Sequence, residues 1–458
     1  MKVFKDKKWL FIILMIIDTL AGISNFMEPA NVFVAVSIVL SLMVILLGSE
    51  MATLYLMIAL CPFYNSLNFS GLAAGFVIPI FALMKIPKSN RVQNFWGVSI
   101  FLFFLIWFLH DIQYQTFAKT VFALLVPLYV FIYIMRNKFS GYDGYYAMWL
   151  VICSSLIAMS CIFIVQGADL DSFIYASHAG EMRLGEADTA DGQKNQLGGA
   201  MGFPIYTITI ITLFIQLLMT RHYNAIKKGA IIIVGFSLFF ITFLTVSRVY
   251  ILGLTTLLLL LVLHILHGRS VKSMIFLAVA LFIILMISAN YLSDYIDQIL
   301  NQYMGRMDYD GDNSGTGIRG TIYADCIDYL SNNIECLLIG KGNRAYPLIG
   351  AMLNRPMSMS AHNIIIDALM SFGVIGTIFL IVIYKSVYNK EHRRIGIRWS
   401  FFRIIPLTCV FVMYQTGSPF LQDKTYPFLL FLVLNIIHCT DNSKYDNANK
   451  SINFKKTI

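Results

Sequence analysis

A histidine and an asparagine stand where a polar segment meets a long apolar run. The segment MSMSAHNIII (357–366) places His362 and Asn363 at the start of IIIDALMSFGVIGTIFLIVIY. A neutral imidazole can take a proton near neutral pH, so His362 has the chemistry of a general base. Asn363 is suited to orient that ring or to bind hydroxyl groups. Asp367 lies one helical turn further on, where a buried carboxylate needs a partner, and His362 and an arginine are the candidates. In the alternative interpretation His362 is an interfacial side chain, and Ser360 caps the helix.

Three arginines provide fixed positive charge in surroundings that need an explanation. Arg248 interrupts a long apolar run, where a buried charge costs about 2.5–3.5 kcal/mol unless it reaches an interface or a cavity. Arg319 lies in GTGIRGTIYADC, between glycines and a predicted helix, and Arg183 begins RLGEADTADGQKNQLGG. A guanidinium stays charged and binds two phosphate oxygens together. The arginines therefore indicate an anion site; the alternative is that Arg248 snorkels to the interface and the other two form salt bridges with neighbouring carboxylates.

Metal and disulfide sites are not indicated. The stretch DYDGDNSG (308–315) imitates a calcium loop, but Asn313 stands where glycine is needed and Arg319 where the bidentate glutamate belongs. The seven cysteines include no CxxC pair. On a straight helix Cys326 and Cys336 would lie about 15 Å apart, too far to bridge. We therefore expect neither a metal nor another cofactor.

The elements that must position these residues are membrane helices. The chain of 458 residues is 58% hydrophobic and 13% charged, with a mean hydropathy of +0.71. An average soluble protein has about 25% charged residues, and apolar stretches near 20 residues recur along the whole length. We predict an all-α fold, a single integral membrane domain (1–458) built as a polytopic transmembrane helical bundle of about 14 spans (12–14). The predicted spans are 9–27, 31–48, 51–64, 70–86, 94–110, 118–135, 146–165, 200–220, 229–246, 249–267, 274–293, 362–384, 402–418 and 425–438.

The basic residues predict the orientation of these spans. Alternation from a cytoplasmic N-terminus places most lysines and arginines in cytoplasmic segments, as the positive-inside rule requires. The net charge of +9 is explained in this way, so we expect no nucleic-acid partner. The first apolar run, from Trp9, has no small-residue cleavage site and is interpreted as a retained span. Both termini are then cytoplasmic, and two large loops, about 166–199 and 294–361, are extracytoplasmic and contain short helices.

Two local predictions concern the candidate residues directly. Residues 229–267 would form a helix of about 58 Å if unbroken, against a hydrocarbon core of about 30 Å. We therefore predict two spans with a tight turn at Ser247-Arg248. In the second loop, TIYADCIDYLSNN is predicted to form a short amphipathic helix with Ile322, Cys326 and Tyr329 or Leu330 on one face.

Taken in order, these motifs resemble the O-antigen polymerase and O-antigen ligase superfamily of bacterial polysaccharide assembly. The similar elements are RLG…GQKNQLG before a span, SR at a span hairpin, GIRGTIYADCIDYLSNNIECLLIGKGN, and AHNIIIDALMSFGVIG opening the next helix. The resemblance implies that Arg183, Arg248 and Arg319 hold a pyrophosphate and that His362 is the base. Arg306, which fits a polymerase loop pattern of Arg, ten residues and Gly, joins Asn195, Asn363 and Arg344 as candidate substrate-binding residues.

The implied reaction is transfer of a glycan from an undecaprenyl pyrophosphate carrier at the outer face of the cytoplasmic (inner) membrane. It would be metal-independent and inverting, and a polymerase of lipid-linked polysaccharide repeat units is the first expectation. A ligase that uses a lipid A core as acceptor is the nearest alternative. Expected partners are undecaprenyl-pyrophosphate-linked oligosaccharides, membrane lipid and a chain-length regulator protein.

Two other classes of protein remain open at this point. A flippase or other transporter of lipid-linked oligosaccharides would have charges along a central path at mid-membrane, whereas the informative charges here cluster at one face. A metal-dependent lipid-sugar glycosyltransferase would need an acidic residue such as Glu28 in the first outside loop. Sensitivity to chelators would distinguish it from an arginine mechanism.

Overall fold

In a computed structural model of the chain, the described residues are almost all α-helical, and no β-strand occurs among them. The helices are α1 (Lys7–Ile23), α2 (Ala30–Leu47), α3 (Glu50–Ala59), α4 (Val77–Lys85), α5 (Gly144–Gln166), α6 (Ala225–Phe243), α7 (Arg248–Leu266), α8 (Gly315–Asn332), α9 (Ile334–Ile339), α10 (Ala345–Met352) and α11 (Ile364–Ile395). The structure describes residues 6–24, 30–60, 62–63, 67, 77–85, 144–166, 207–208, 210–211, 225–243, 248–266, 315–352, 361, 363–395, 408–409 and 411–413.

The predicted all-α fold is confirmed for this part of the chain, whereas the number of spans stays a prediction. By length and composition, α2 is the one helix among the described residues that is long and apolar enough to cross a membrane. Predicted spans at 94–110, 118–135, 274–293 and 425–438 lie outside the described residues. Shorter apolar helices occur at Glu50–Ala59, Trp149–Ala158, Gly229–Phe239, Tyr250–Val262 and Ile364–Phe379.

The first helices pack through small and polar side chains as well as apolar ones. The Tyr146 hydroxyl donates to the Lys7 carbonyl oxygen at 3.0 Å, and the Ser154 hydroxyl donates to Asp18 Oδ2 at 2.6 Å. Contacts at the start and in the middle of both helices mean that α1 and α5 run parallel. The predicted alternation requires this direction for the first and seventh spans. The Ser37 hydroxyl of α2 donates to the Ile17 carbonyl oxygen at 3.2 Å and joins a third helix to the pair.

Helices α6 and α7 confirm that the apolar run 229–267 is broken into two. Helix α6 ends at Phe243 and α7 begins at Arg248. Across the break, the fully buried Tyr250 donates its hydroxyl to the Phe239 carbonyl oxygen at 2.9 Å. This bond joins the end of one helix to the start of the next, so the two helices form a hairpin of the kind that their combined length predicted.

The C-terminal helices α8–α11 enclose a separate small core. Ile322, Cys326 and Leu330 of α8 are each at most 5% exposed and lie in one buried cluster with residues of α9, α10 and α11. The predicted amphipathic face of α8 is therefore confirmed, with Leu330 at its last position. Apolar side chains spaced three to four residues apart fall on one face of a helix, which is why the sequence pattern was sufficient here. The cluster comprises Ile322, Cys326, Leu330, Cys336, Ala345, Ile349, Ala361 and Met370.

Candidate active site

Arg248 is the first residue of α7, at the apex of the α6–α7 hairpin. The backbone thus places it at a helix end, where a charged residue is less costly than in the middle of a span. Around the hairpin, the Thr242 hydroxyl donates to the Thr207 hydroxyl at 2.9 Å, and Gly253 lies so close to Met413 that a Cβ atom would overlap its sulfur. The apex that carries Arg248 is consequently held by two neighbouring segments.

Arg319 lies inside α8 rather than ahead of it. The helix begins at Gly315, six residues before the predicted start at Thr321, so the backbone amides at its N-terminus belong to residues 315–318. The predicted anion site needed Arg319 at the helix start beside those amides. The position of Arg319 inside α8 therefore counts against that prediction. The sequence pattern predicted that the glycines precede the helix, but the helix includes them in its first turns.

A short turn carries Arg344 against the start of α11. Helix α9 ends at Ile339 with Gly340 as its C-cap, and a 3-10 turn, Gly342–Arg344, leads directly into α10. The Lys341 amide donates to the Met370 carbonyl oxygen at 2.8 Å. This bond fixes the turn to α11, so Arg344 and the start of α11 belong to one packed unit with α8.

Asn363 caps α11 instead of presenting its whole amide group to a substrate. Its side-chain oxygen accepts from the amides of Ile365 at 2.9 Å and Ile366 at 3.2 Å. The alternative interpretation of His362 placed the cap at Ser360, three residues earlier, which lies outside the described residues. Since the oxygen of Asn363 satisfies amides of the first helical turn, the NH₂ group is the part suited to a substrate hydroxyl.

Asp367 reaches back over the start of the helix. Its side chain is 1% exposed, and Oδ1 accepts from the Ala361 amide at 2.8 Å. The sequence had suggested His362 or an arginine as partner for this carboxylate and missed the backbone amide. An acidic residue in the first turn was the available indication, because such a residue often bonds to an amide just before its helix.

The thiols beneath this segment are buried and free. Both Cys326 and Cys336 are 0% exposed and lie in the same core cluster. Burial first, then the negative charges of Asp367 and Asp325 and the Cys336 thiol, raise the pKa of Cys326 to about 12. The separation of Cys326 and Cys336 expected on a straight helix does not apply. The chain turns at Asn333 between α8 and α9 and brings both cysteines into one core.

The structure thus brings some of the sequence candidates together. Arg344, Asn363 and the helix of Arg319 share the α8–α11 unit, while for Arg248 and Arg319 the backbone alone is described. Convergence of the arginines on one pocket stays a prediction. Among the residues that the structure describes, no group of three His, Cys, Asp or Glu side chains is placed to hold a metal ion. Four candidates lie outside the described residues: Arg183, Asn195, Arg306 and His362.

Comparison with known proteins decides the family of this part of the chain. Residues 233–381 match the O-antigen ligase family. The predicted resemblance to the O-antigen ligase and polymerase superfamily is thereby confirmed over this region. Members of the family are membrane-embedded and glycosyltransferase-like. No curated protein matches the chain.

The O-antigen ligase-like region, residues 233–381, contains most of the candidate residues. It runs from within α6 to within α11 and so includes the hairpin apex, α8 and the capped start of α11. Arg183 and Asn195 precede it. The region accounts for about a third of the chain, and it coincides with the elements in which the sequence placed its candidate base and two of its three candidate pyrophosphate ligands.

Proposed function

We propose that the chain is a polymerase of lipid-linked polysaccharide repeat units. It transfers a glycan from an undecaprenyl pyrophosphate carrier to a sugar hydroxyl at the outer face of the cytoplasmic membrane. The observation that carries this proposal is the family match, because one O-antigen ligase-like region includes the Arg248 hairpin, the Arg319 helix and the segment around His362.

The reaction is a single displacement at the anomeric carbon of the donor glycan. The acceptor hydroxyl attacks that carbon from the face opposite the pyrophosphate, and its proton passes to His362. The bond between the anomeric carbon and the pyrophosphate oxygen breaks, and its electron pair leaves with the carrier. One displacement inverts the anomeric configuration, and the new glycosidic bond joins donor to acceptor.

Charge on the leaving pyrophosphate is the main electrostatic demand of this reaction. Fixed cations that meet the developing charge need no reorganisation in the transition state. Arg183, Arg248 and Arg319 fill this role in the proposal, which therefore needs no metal ion. The capped geometry of Asn363 supports a secondary role in binding, since its NH₂ group is left for a sugar hydroxyl.

Reconstituted full-length protein tests the proposal with purified lipid-linked repeat units as substrate. Wild-type protein should yield a ladder of lengthened glycans, and His362→Ala should leave single repeat units. Arg248→Ala and Arg319→Ala should lower turnover strongly, while Ser331→Ala, at an exposed position of α8, should not. Wild-type ladders from both arginine variants and from His362→Ala would overturn the mechanism.

A ligase is the second candidate, and the match to the O-antigen ligase family favours it. The two activities differ in acceptor. Lengthening in liposomes that contain only lipid-linked repeat units identifies a polymerase. Transfer that occurs only after a lipid A core is added identifies a ligase, and movement of the glycan across the bilayer with no new bond identifies a transporter. Loss of activity on addition of a chelator would instead support a metal-dependent enzyme.

A further inference from the structure

The start of α11 is closed into a ring by one side chain. Asp367 lies one turn inside the helix, and its Oδ1 accepts from the amide of Ala361, which lies two residues before the cap. The backbone amide of Asp367 donates in turn to the Asn363 carbonyl oxygen at 2.8 Å. The arrangement resembles a capping box in which the acidic side chain reaches beyond the cap residue.

Ala361 and Asn363 are the two residues on either side of His362, and both are fixed. Ala361 is 0% exposed, lies in the α8–α11 core and has its amide bound to Asp367. Asn363 is bound to two amides of the first helical turn. Ring and cap together fix the two described residues that flank His362 in the chain.

Burying a carboxylate in a protein core is expensive. A buried charge costs several kcal/mol before its partners compensate, and a well-packed apolar side chain is often as stable. The positive end of the helix dipole and the hydrogen bond from the Ala361 amide offset part of that cost. Stability alone therefore gives a weak reason for Asp367, whereas the position of the amide before His362 gives a specific one.

We propose that Asp367 is a positioning residue for proton transfer at His362, because it holds the amide of Ala361, the residue immediately before this histidine. The inference rests on the proposed function, in which His362 takes the proton of the acceptor hydroxyl. Asp367 acts through the Ala361 amide and is not itself in contact with the reacting atoms. The feature that matters is a hydrogen-bond acceptor at this position, because the bond is to a neutral N–H group.

Two substitutions separate the acceptor from the rest of the side chain. Asp367→Ala removes the acceptor, and kcat should fall by about 100-fold with little change in the KM for the donor, since misplacing a catalytic group by about 1 Å has a cost of that size. Asp367→Asn keeps an oxygen for the Ala361 amide and should recover most of the rate. Equal losses from the two variants, or a change in KM alone, would overturn the inference.

A double-variant cycle tests whether Asp367 works through His362. In the His362→Ala background, Asp367→Ala should cause no further loss of the residual turnover, because there is no imidazole left to position. If the fold-losses in turnover of the two single variants multiply in the double variant, Asp367 acts independently of His362, and the inference is overturned. Wild-type turnover by His362→Ala would instead overturn the proposed function, so the two failures are distinguishable.

A matched control addresses general loosening of the core. Met370→Ala removes a buried side chain from α11 and from the α8–α11 core cluster. It leaves the hydrogen bond between the Ala361 amide and Asp367 intact. It should lower the midpoint of thermal unfolding in detergent and leave kcat near the wild-type value. A fall in kcat as large as that of Asp367→Ala, at an equal loss of stability, would mean that Asp367 is structural only.

Discussion

Gly340 and Gly373 meet backbone to backbone, with no room for a Cβ atom on either residue. A Cβ built on Gly340 would overlap the Ser371 carbonyl oxygen, and one built on Gly373 would overlap the Leu338 carbonyl group. Both glycines also have positive φ, 82° and 63°. The end of α9 fills the break that Gly373 makes in α11, so the first turns of α11, which follow His362, are held on the α8–α10 core.

Substituting these glycines should destabilise the α8–α11 unit. In Gly340→Ala and Gly373→Ala the fold forces alanine into a positive-φ conformation. This costs about 1–3 kcal/mol at each position, in addition to the steric overlap. We expect a lower midpoint of thermal unfolding for the detergent-solubilised protein. Gly320→Ala is the control, because its position in α8 has open space and alanine favours a helix by about 1 kcal/mol over glycine. Equal midpoints for Gly340→Ala and Gly320→Ala would contradict the close approach.

The cap of α11 gives a second prediction. Asn363→Ala removes the acceptor for the amides of Ile365 and Ile366 and should cost about 0.5–2 kcal/mol of stability. Asn363→Ser restores a capping oxygen and should recover most of that loss in the same thermal unfolding measurement. If stability recovers in Asn363→Ser while the KM for the donor stays high, the NH₂ group binds substrate as well. If Asn363→Ala is as stable as wild type, the cap contributes nothing.

The thiol of Cys326 should resist modification in the folded protein. Thiolate is the reactive form, and a pKa near 12 keeps Cys326 protonated at about pH 7 and still at about pH 9. We expect no labelling of Cys326 by a membrane-impermeant maleimide over this range, as judged by mass spectrometry of its peptide, and full labelling after denaturation.

A cysteine at an exposed position of the same helix is the control for that experiment. Ser331 is exposed at the end of α8, and Ser331→Cys should react readily in intact cells. Labelling of Cys326 at the same rate as Ser331→Cys would contradict its burial. Protection of Ser331→Cys in intact cells, followed by reaction in permeabilised cells, would contradict an extracytoplasmic α8.

Asp18 is buried, so removing the hydrogen-bond partner of its carboxyl group should lower the stability of the protein strongly. Ser154→Ala removes the hydroxyl that donates to Asp18 Oδ2, and should destabilise the protein by about 1–3 kcal/mol. Ser155→Ala is the matched control, because the buried Ser155 hydroxyl donates to the Val151 carbonyl oxygen in its own helix, so we expect a much smaller change.

A double substitution at the same contact tests the origin of that effect. Asp18→Leu combined with Ser154→Ala should be more stable than Ser154→Ala alone, since an apolar pair leaves no buried polar group without its hydrogen-bond partner. Thermal unfolding in detergent measures all three variants. Equal stability of Ser154→Ala and Ser155→Ala would show that the contact between α1 and α5 carries no particular weight.

Local patterns were sufficient for the features that depend on neighbouring residues. Apolar length predicted the break before Arg248, and helical spacing predicted the buried face of Ile322, Cys326 and Leu330. Motif order indicated the superfamily that the family match confirmed for residues 233–381. These properties follow from the period of a helix and the thickness of a membrane, both of which can be read along a single stretch of chain.

The contacts that hold the candidate site were decided by tertiary structure. Nothing in the local pattern states that Gly340 fits the break at Gly373, or that Asp367 bonds to the amide of Ala361. A buried polar group accepts the partner that packing brings within about 3 Å, and packing depends on residues far apart in the chain. The sequence by itself determined where a helix breaks and which of its faces is buried, and the tertiary structure decided which residues touch.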